Sequence, residues 1–86
     1  MYKVIFTPSV EKDFRSIPKP FSTTILKKVQ ALATDPIPYN SVKLTGTDNL
    51  YRVRVGDYRV VYSVGHEVKE VFVQYIRHRR EVYRGL

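Results

Sequence analysis

The chain has 86 residues, enough for one domain with a thin two-layer core and too few for a second core. It has no cysteine, which excludes disulfide bonds and thiolate metal sites, and it has no apolar run long enough to cross a bilayer. Fifteen lysines and arginines against eight acidic residues give a net charge of +7, which favours a polyanionic partner: nucleic acid, a membrane surface or an acidic protein. We therefore expect residues 1–86 to form a single basic domain in the cytoplasm.

The first half of the chain has the pattern of a strand followed by two helices. Residues 2–6 are rich in β-formers and predict a first strand. Thr7 and Pro8 are typical of a helix N-cap and a first helical residue. Apolar residues at helical spacing then predict two helices, the first ended by Pro18 and the second opened by Pro20. The apolar stripes are Val10, Phe14 and Ile17 in the first helix, and Phe21, Ile25, Val29 and Leu32 in the second. The two helices should form a hairpin that covers one face of a sheet.

The second half of the chain changes to strand patterns. Two β-rich runs, residues 50–55 and 58–64, flank a Gly-Asp pair at 56–57, which is a strong signal for a two-residue hairpin loop. A second turn is expected at residues 65–66, followed by a strand over about residues 68–77. These three strands should form an antiparallel meander.

Two further segments complete the predicted fold. Residues 42–44 are a candidate short strand, and the residues from about 79 onward are a candidate terminal helix. The order predicts an α+β fold with an N-terminal strand, a helical hairpin, a three-stranded antiparallel meander that completes one sheet, and a short C-terminal helical segment.

The predicted hairpin brings arginines together. A two-residue loop at 56–57 places Arg54 opposite Arg59 and puts Arg52 on the same face of the sheet. The other face carries the residues expected to pack on the helices: Tyr51, Val53, Val55, Tyr58, Val60 and Tyr62. Like charges directly opposite one another destabilise a sheet by up to roughly 1 kcal/mol, so this pair is typical of a site that holds an anion. The alternative is that the long side chains extend into water and repel one another little.

A second basic cluster, Arg-His-Arg-Arg, occupies residues 77–80, and Arg84 follows it. Because the preceding strand is partly apolar on both faces, the pattern leaves open whether Arg77 or Arg79 points toward the hairpin arginines. Tyr83 lies four residues after Arg79, on the same side of a helical turn, where it either stacks on an RNA base or anchors the C-terminal segment. Seven of the eight arginines lie after residue 50, so we expect the second half to bind phosphate.

The segments 50–62 and 76–84 together resemble the RelE/ParE toxin superfamily, and the upstream strand, paired helices and residues 42–46 fit the same pattern. The RelE branch implies an endoribonuclease that cleaves mRNA in the decoding site of the ribosome. In that reaction the RNA 2′-hydroxyl attacks the adjacent phosphate and leaves a 2′,3′-cyclic phosphate end. No metal ion or cofactor is expected, because neither histidine has the spacing of a metal ligand and no glycine-rich phosphate loop is present.

The resemblance also implies roles for individual residues. The expected catalytic residues are Arg54, Arg59, Arg79 and Tyr83, and the expected RNA-binding residues are Arg52, Arg77, Arg80, Arg84 and Lys43. Counting back from Tyr83 without a gap would exchange Arg79 for Arg77. The best-known RelE pattern has lysines where this chain has Arg52 and Arg54. Because a guanidinium group does not give up its proton in proteins, Arg54 is expected to clamp the scissile phosphate. The general base is then unassigned, with Tyr83, the ribosome and the RNA itself as candidates.

The partners implied by the resemblance are a small acidic antitoxin of the RelB kind, which would cover the arginines, and an mRNA in the ribosomal A site. The toxin–antitoxin complex would bind operator DNA through the antitoxin, and no membrane is involved. Two other functions are compatible with the sequence. One is a ParE-like inhibitor of DNA gyrase, which would damage DNA and leave mRNA intact. The other is a non-catalytic basic module, which would bind nucleic acid in a salt-dependent way without cutting it. Arginines on both hairpin strands and a late tyrosine favour RNA cleavage.

Overall fold

The computed structural model describes residues 1–46 and 49–79. The elements in chain order are strand β1 (Lys3–Phe6), helices α1 (Pro8–Ser16) and α2 (Phe21–Ala31), and strands β2 (Ser41–Lys43), β3 (Leu50–Val55), β4 (Tyr58–Gly65) and β5 (Glu70–His78). The five strands form one sheet in the order β1-β5-β4-β3-β2, with β1 parallel to β5 and every other pair antiparallel. This confirms the predicted α+β fold, and the candidate strand at 42–44 is present as the edge strand β2. The predicted C-terminal helical segment, from about residue 79, falls almost entirely on residues 80–86, which lie outside the described part of the chain.

Helix α1 begins where the Thr-Pro pair predicts. The Thr7 hydroxyl accepts a hydrogen bond from the Val10 N–H at 3.3 Å, and Pro8 is the first helical residue. The same hydroxyl donates to the carbonyl oxygen of Val73 on β5 at 3.1 Å. One side chain therefore both starts the helix and attaches it to the sheet. No helix within residues 1–46 and 49–79 is long and apolar enough to span a membrane.

The core lies between the two helices and one face of the sheet. Its buried members are Val10, Ile25, Val29, Leu32, Val53, Val55, Val60, Tyr62, Val64, Val71, Val73 and Ile76. Fully burying a valine, leucine or isoleucine side chain contributes about 1.5–3 kcal/mol relative to leaving it exposed. Phe21 differs from its prediction, because the residue is 55% exposed. As the first residue of α2 it lies at the rim of the core, with its ring centroid 6.2 Å from that of Tyr58.

Strand β5 contains a β-bulge that its sequence pattern does not predict. Tyr75 lies opposite Val61 but Val73 lies opposite Tyr62, so Gln74 has no counterpart on β4. An extra residue shifts the alternation of side chains by one. Odd-numbered residues of β5 therefore face the helices before the bulge and the opposite side after it. This explains why the predicted strand is partly apolar on both faces.

The turn between β4 and β5 is longer than predicted. Instead of two residues at 65–66, it spans residues 66–69, and β5 begins at Glu70. The turn closes with Lys69 at a φ of 58°, in the left-handed region. Glycine adopts this backbone conformation at a lower steric cost than other residues do. Because the position holds a lysine, the sequence gives no glycine signal for this end of the turn.

Candidate nucleic-acid interface

The β3–β4 hairpin has the predicted two-residue loop. Gly56 has a φ of 60°, whereas Asp57 is not among the described residues with positive φ, which is the pattern of a type II′ turn. This turn matches the right-handed twist of the flanking strands and fixes their register. Arg54 consequently lies directly opposite Arg59, as predicted.

Three arginines occupy directly opposed positions on three neighbouring strands. Arg54 on β3 faces Arg59 on β4, and Arg59 faces Arg77 on β5. We call these three residues the arginine row, and the sheet face that carries them, turned away from α1 and α2, the arginine face. Neighbouring strands lie about 4.8 Å apart, so three cationic side chains originate within about 10 Å. Arg52 lies on the same face, two residues from Arg54, which confirms the predicted grouping of the hairpin arginines.

Arg59, at the centre of the row, is a buried cation. Arg59 is only 7% exposed, and its Nη1 donates to the carbonyl oxygens of Gly56 at 3.3 Å and Tyr58 at 3.2 Å. Within residues 1–46 and 49–79, no carboxylate forms an ion pair with it. Burying a positive charge costs free energy unless an anion compensates it. The environment of Arg59 is therefore typical of a site that receives an anion from outside the chain.

A single carbonyl group holds the two hairpin arginines together. The Gly56 oxygen accepts a hydrogen bond from Nε of Arg54 at 3.2 Å as well as the one from Nη1 of Arg59. Arg54 is otherwise exposed. Since a guanidinium has five N–H donors, each arginine keeps donors that can bind phosphate oxygens.

The register answers part of the question that the sequence leaves open about the late arginines. Arg77, and not Arg79, lies directly opposite Arg59. Arg79 is exposed and follows the end of β5, where its backbone N–H donates to the Asp57 carbonyl at 2.7 Å, beside the hairpin loop. Which of the two acts in catalysis stays a prediction.

Of the remaining predicted site residues, only Lys43 lies in the described part of the chain, and it is not brought to the row. Lys43 is exposed and lies opposite Tyr51, a register position on the helix side of the sheet, because β2 pairs with β3 at that offset. Arg80, Tyr83 and Arg84 lie outside the described residues, and their roles stay predictions.

Two residues near the row have no clear signal in the sequence. Tyr75 reaches the arginine face only because the bulge turns it there, and its ring centroid lies 5.1 Å from Cζ of Arg77, within the range of a cation–π contact. Asp13 on α1 forms an ion pair with Arg77, at 2.5 Å between Oδ2 and Nη1. It is one carboxylate on an amphipathic helix, and only the tertiary structure links it to a residue 64 positions away.

The arrangement can bind an extended, negatively charged chain and stabilise charge on it. The described part of the arginine face offers several cationic donors, an aromatic ring beside one of them, and a central cation that is already desolvated. Donors held in place in a partly dehydrated site stabilise developing negative charge better than water does. The geometry therefore suits a phosphodiester backbone.

The fold, with two helices on one face of a five-stranded sheet, is shared with solved structures of toxins from toxin–antitoxin systems. The chain belongs to the RelE/ParE toxin superfamily: the family model for the ParE toxin of type II toxin–antitoxin systems, parDE, matches residues 4–83. A Methanocaldococcus jannaschii protein that carries the toxin name RelE1 is 31% identical to this chain over 79 residues, or 88% of each chain.

Solved structures support the same assignment. A chain of the archaeal RelE–RelB complex from Pyrococcus horikoshii is 35% identical, with a TM-score of 0.81 over 91% of this chain and 94% of that chain. A chain of the intact Escherichia coli RelBE toxin–antitoxin complex is 27% identical, with a TM-score of 0.78 over 91% and 96% of the two chains. The protein is thus a RelE-type toxin of a toxin–antitoxin system.

Proposed function

We propose that this toxin is an endoribonuclease that cleaves mRNA on the ribosome and thereby stops translation in the cytoplasm. The observation that carries the proposal is the arginine row, with Arg59 buried at its centre and without a carboxylate partner among residues 1–46 and 49–79. A cation held in this way is costly to the fold, and a transient phosphate would compensate it. Function therefore gives a reason for an arrangement that stability alone does not favour.

The proposed reaction is an internal transfer at one phosphate. The RNA 2′-oxygen attacks the adjacent phosphorus, the bond from phosphorus to the 5′-oxygen breaks, and the products carry a 2′,3′-cyclic phosphate and a 5′-hydroxyl. Negative charge builds on the phosphoryl oxygens during the transfer. Arg59 and Arg54 would hold those oxygens, while Arg52 and Arg77 would bind neighbouring phosphates. Arg79 is the other candidate for the late catalytic arginine, with Arg80 and Arg84 as further RNA contacts.

Positioning and charge stabilisation would supply most of the rate. Arginine does not act as a base, so the row itself cannot remove the proton of the 2′-hydroxyl. We assign that proton transfer to Tyr83, to the ribosome or to the RNA, and no metal ion or cofactor is part of the proposal. Holding the reacting atoms in line can contribute several kcal/mol by itself, which makes a mechanism without a strong base physically reasonable.

The proposed substrate is an mRNA in the ribosomal A site. A domain of 10.1 kDa has little surface with which to specify a long RNA sequence, so an external scaffold that presents the RNA is needed. The proposed partner is a small acidic antitoxin of the RelB kind, because related toxins are found in complexes with RelB. Its acidic residues would cover the arginine face, and the complex would bind operator DNA through the antitoxin.

A ParE-like inhibitor of DNA gyrase is the second candidate, favoured by the family model that matches residues 4–83. Such a toxin uses the same fold without RNA chemistry. It predicts DNA damage and intact mRNA after induction, so the two candidates give opposite results in one assay.

The test is primer extension on a reporter mRNA after brief induction of the wild type and of Arg59→Ala. Arg15→Ala is the matched control, because Arg15 is an exposed arginine of α1 and its loss changes the net charge equally. New 5′ ends inside the translated region with the wild type and the control, and their absence with Arg59→Ala, are the expected result. Intact mRNA with growth arrest would indicate gyrase inhibition, and cleavage by Arg59→Ala at the full rate would overturn the site.

A further inference from the structure

Asp13 on α1 makes two contacts to the end of β5 with one oxygen. Its Oδ2 accepts a hydrogen bond from the Ile76 backbone N–H at 3.0 Å and pairs with Nη1 of Arg77 at 2.5 Å. The Asp13 side chain is 18% exposed and that of Arg77 is 35% exposed, so the pair is partly shielded from water. It is the one ion pair found among residues 1–46 and 49–79.

The position of this contact follows from the unequal lengths of β1 and β5. Strand β1 pairs with β5 only as far as Phe6 and Val73, which leaves the rest of that edge of β5 without a strand neighbour. Helix α1 lies along the uncovered edge, where Thr7 bonds the carbonyls of Val73 and Gln74 and Asp13 bonds the N–H of Ile76. The helix thus replaces the missing strand, and Asp13 is the residue that also reaches the arginine row.

The ion pair fixes one end of the Arg77 guanidinium and leaves the rest available. Nη1 is used by Asp13 and by the Ile76 carbonyl oxygen at 3.0 Å, and the guanidinium lies against the Tyr75 ring. Nε and Nη2, which together carry three N–H donors, have no partner among the described residues. A guanidinium held on one side by a carboxylate and on its face by a ring presents its free donors in a fixed direction.

We propose that Asp13 is a positioning residue for the proposed RNA-cleavage reaction, which acts by orienting Arg77 at the end of the arginine row. The inference rests on the proposed function. The proposed role of Asp13 is not to attract RNA by its charge, because a carboxylate beside a phosphate site weakens the binding of RNA. Asp13 therefore has opposite effects on binding and on cleavage, and these effects can be measured separately.

The experiment compares wild type, Asp13→Asn, Arg77→Ala and the double variant in a purified translation system. Asparagine keeps an oxygen that can accept the Ile76 N–H, but a neutral amide holds a guanidinium less tightly. Misplacing a group that positions the substrate by about 1 Å can cost about 100-fold in rate, so we expect Asp13→Asn to reduce cleavage by about 10- to 100-fold. Glu11→Gln is the control, since Glu11 is an exposed carboxylate of the same helix.

Binding is measured separately with a fluorescent oligouridine that carries 2′-O-methyl groups and cannot be cut by the proposed reaction. Loss of one negative charge should leave its affinity for Asp13→Asn unchanged or raise it up to a few-fold. Thermal unfolding of each variant shows that the compared proteins are folded. In the Arg77→Ala background, Asp13→Asn should have no further effect on cleavage, because Asp13 acts through Arg77.

The proposal is supported if Asp13→Asn lowers cleavage while RNA binding is equal or tighter, and if this effect on cleavage disappears in the Arg77→Ala background. Cleavage by Asp13→Asn at the wild-type rate overturns it, and so does a parallel rise in binding and cleavage, which would make Asp13 a competitor for Arg77. An equal loss of cleavage in both backgrounds also overturns it. A wild type that cuts no mRNA overturns the proposed function itself, and this inference with it.

Discussion

Replacement of Arg59 by methionine should make the fold more stable while abolishing RNA cleavage. Arg59 is 7% exposed and lies between two other arginines, so it combines the cost of a desolvated charge with repulsion from its neighbours. Methionine keeps a long flexible stem of similar reach and removes the charge. Stability and activity should therefore change in opposite directions.

The size of the effect follows from three contributions. Repulsion from Arg54, directly opposite, is worth about 1 kcal/mol, and repulsion from Arg77 is smaller because Asp13 offsets its charge. Partial desolvation of the guanidinium costs about 1–3 kcal/mol. Against these stand two hydrogen bonds, to the carbonyls of Gly56 and Tyr58, worth about 1 kcal/mol each. The expected net gain is about 1 kcal/mol, or a rise in melting temperature of about 4–8 °C.

Urea unfolding of the two proteins, at low and at moderate salt, measures this gain. Salt screens the repulsion over about 10 Å at 0.1 M, so the difference between variant and wild type should shrink as salt is added. Inorganic phosphate should stabilise the wild type more than the variant, because a ligand of the folded state raises its stability. Arg15→Met, with the same charge change at an exposed position, should stay within about 0.5 kcal/mol of the wild type. A loss of 1 kcal/mol or more for Arg59→Met at every salt concentration would refute the reasoning, since Arg59 would then be a structural residue.

Two further predictions concern residues of strand β4 and of the β3–β4 loop, which position the arginine row. Burial raises the pKa of Tyr62 from 10.0 to about 12. Above pH 10 the unfolded chain loses this proton while the folded protein keeps it, so stability should fall between pH 10 and 12 by on the order of 2 kcal/mol. Tyr62→Phe should remove that part of the pH dependence in unfolding experiments, and an unchanged slope would contradict the assignment. Gly56→Ala should cost about 1–2 kcal/mol in urea unfolding and reduce cleavage, because Gly56 has a φ of 60° although a Cβ there would meet no atom within 4 Å. A variant as stable as the wild type would show that the turn relaxes without strain.

The hairpin half of the site could be predicted from the sequence because its geometry is local. A two-residue loop with glycine first leaves one register for the flanking strands, and side-chain alternation then assigns Arg54 and Arg59 to one face. The start of α1 was equally predictable, since Thr7 and Pro8 satisfy the needs of a helix N-terminus within a few residues.

The other half depends on contacts that no local pattern encodes. The bulge at Gln74 reverses the alternation within β5, and glutamine is not a residue type that signals a bulge, so the face of Arg77 could not be read from its parity. Lys43 could not be assigned to a face either, because no short loop connects β2 to β3 and fixes their register. Asp13 joins the site only when α1 covers the edge of β5, which is a property of the tertiary fold.

The strand order also has a consequence for the timing of synthesis. Strand β5, the last of the described strands, lies between β1 and β4, so β1 has no strand neighbour until β5 has been made. Two members of the arginine row are present once the hairpin has emerged from the ribosome, but the third arrives with β5, and its ion pair to α1 closes a loop of 64 residues. Contacts between distant residues form late, because the intervening chain must first be ordered. A ribosome that is making this toxin would therefore release nearly the whole described chain before the arginine row could be complete.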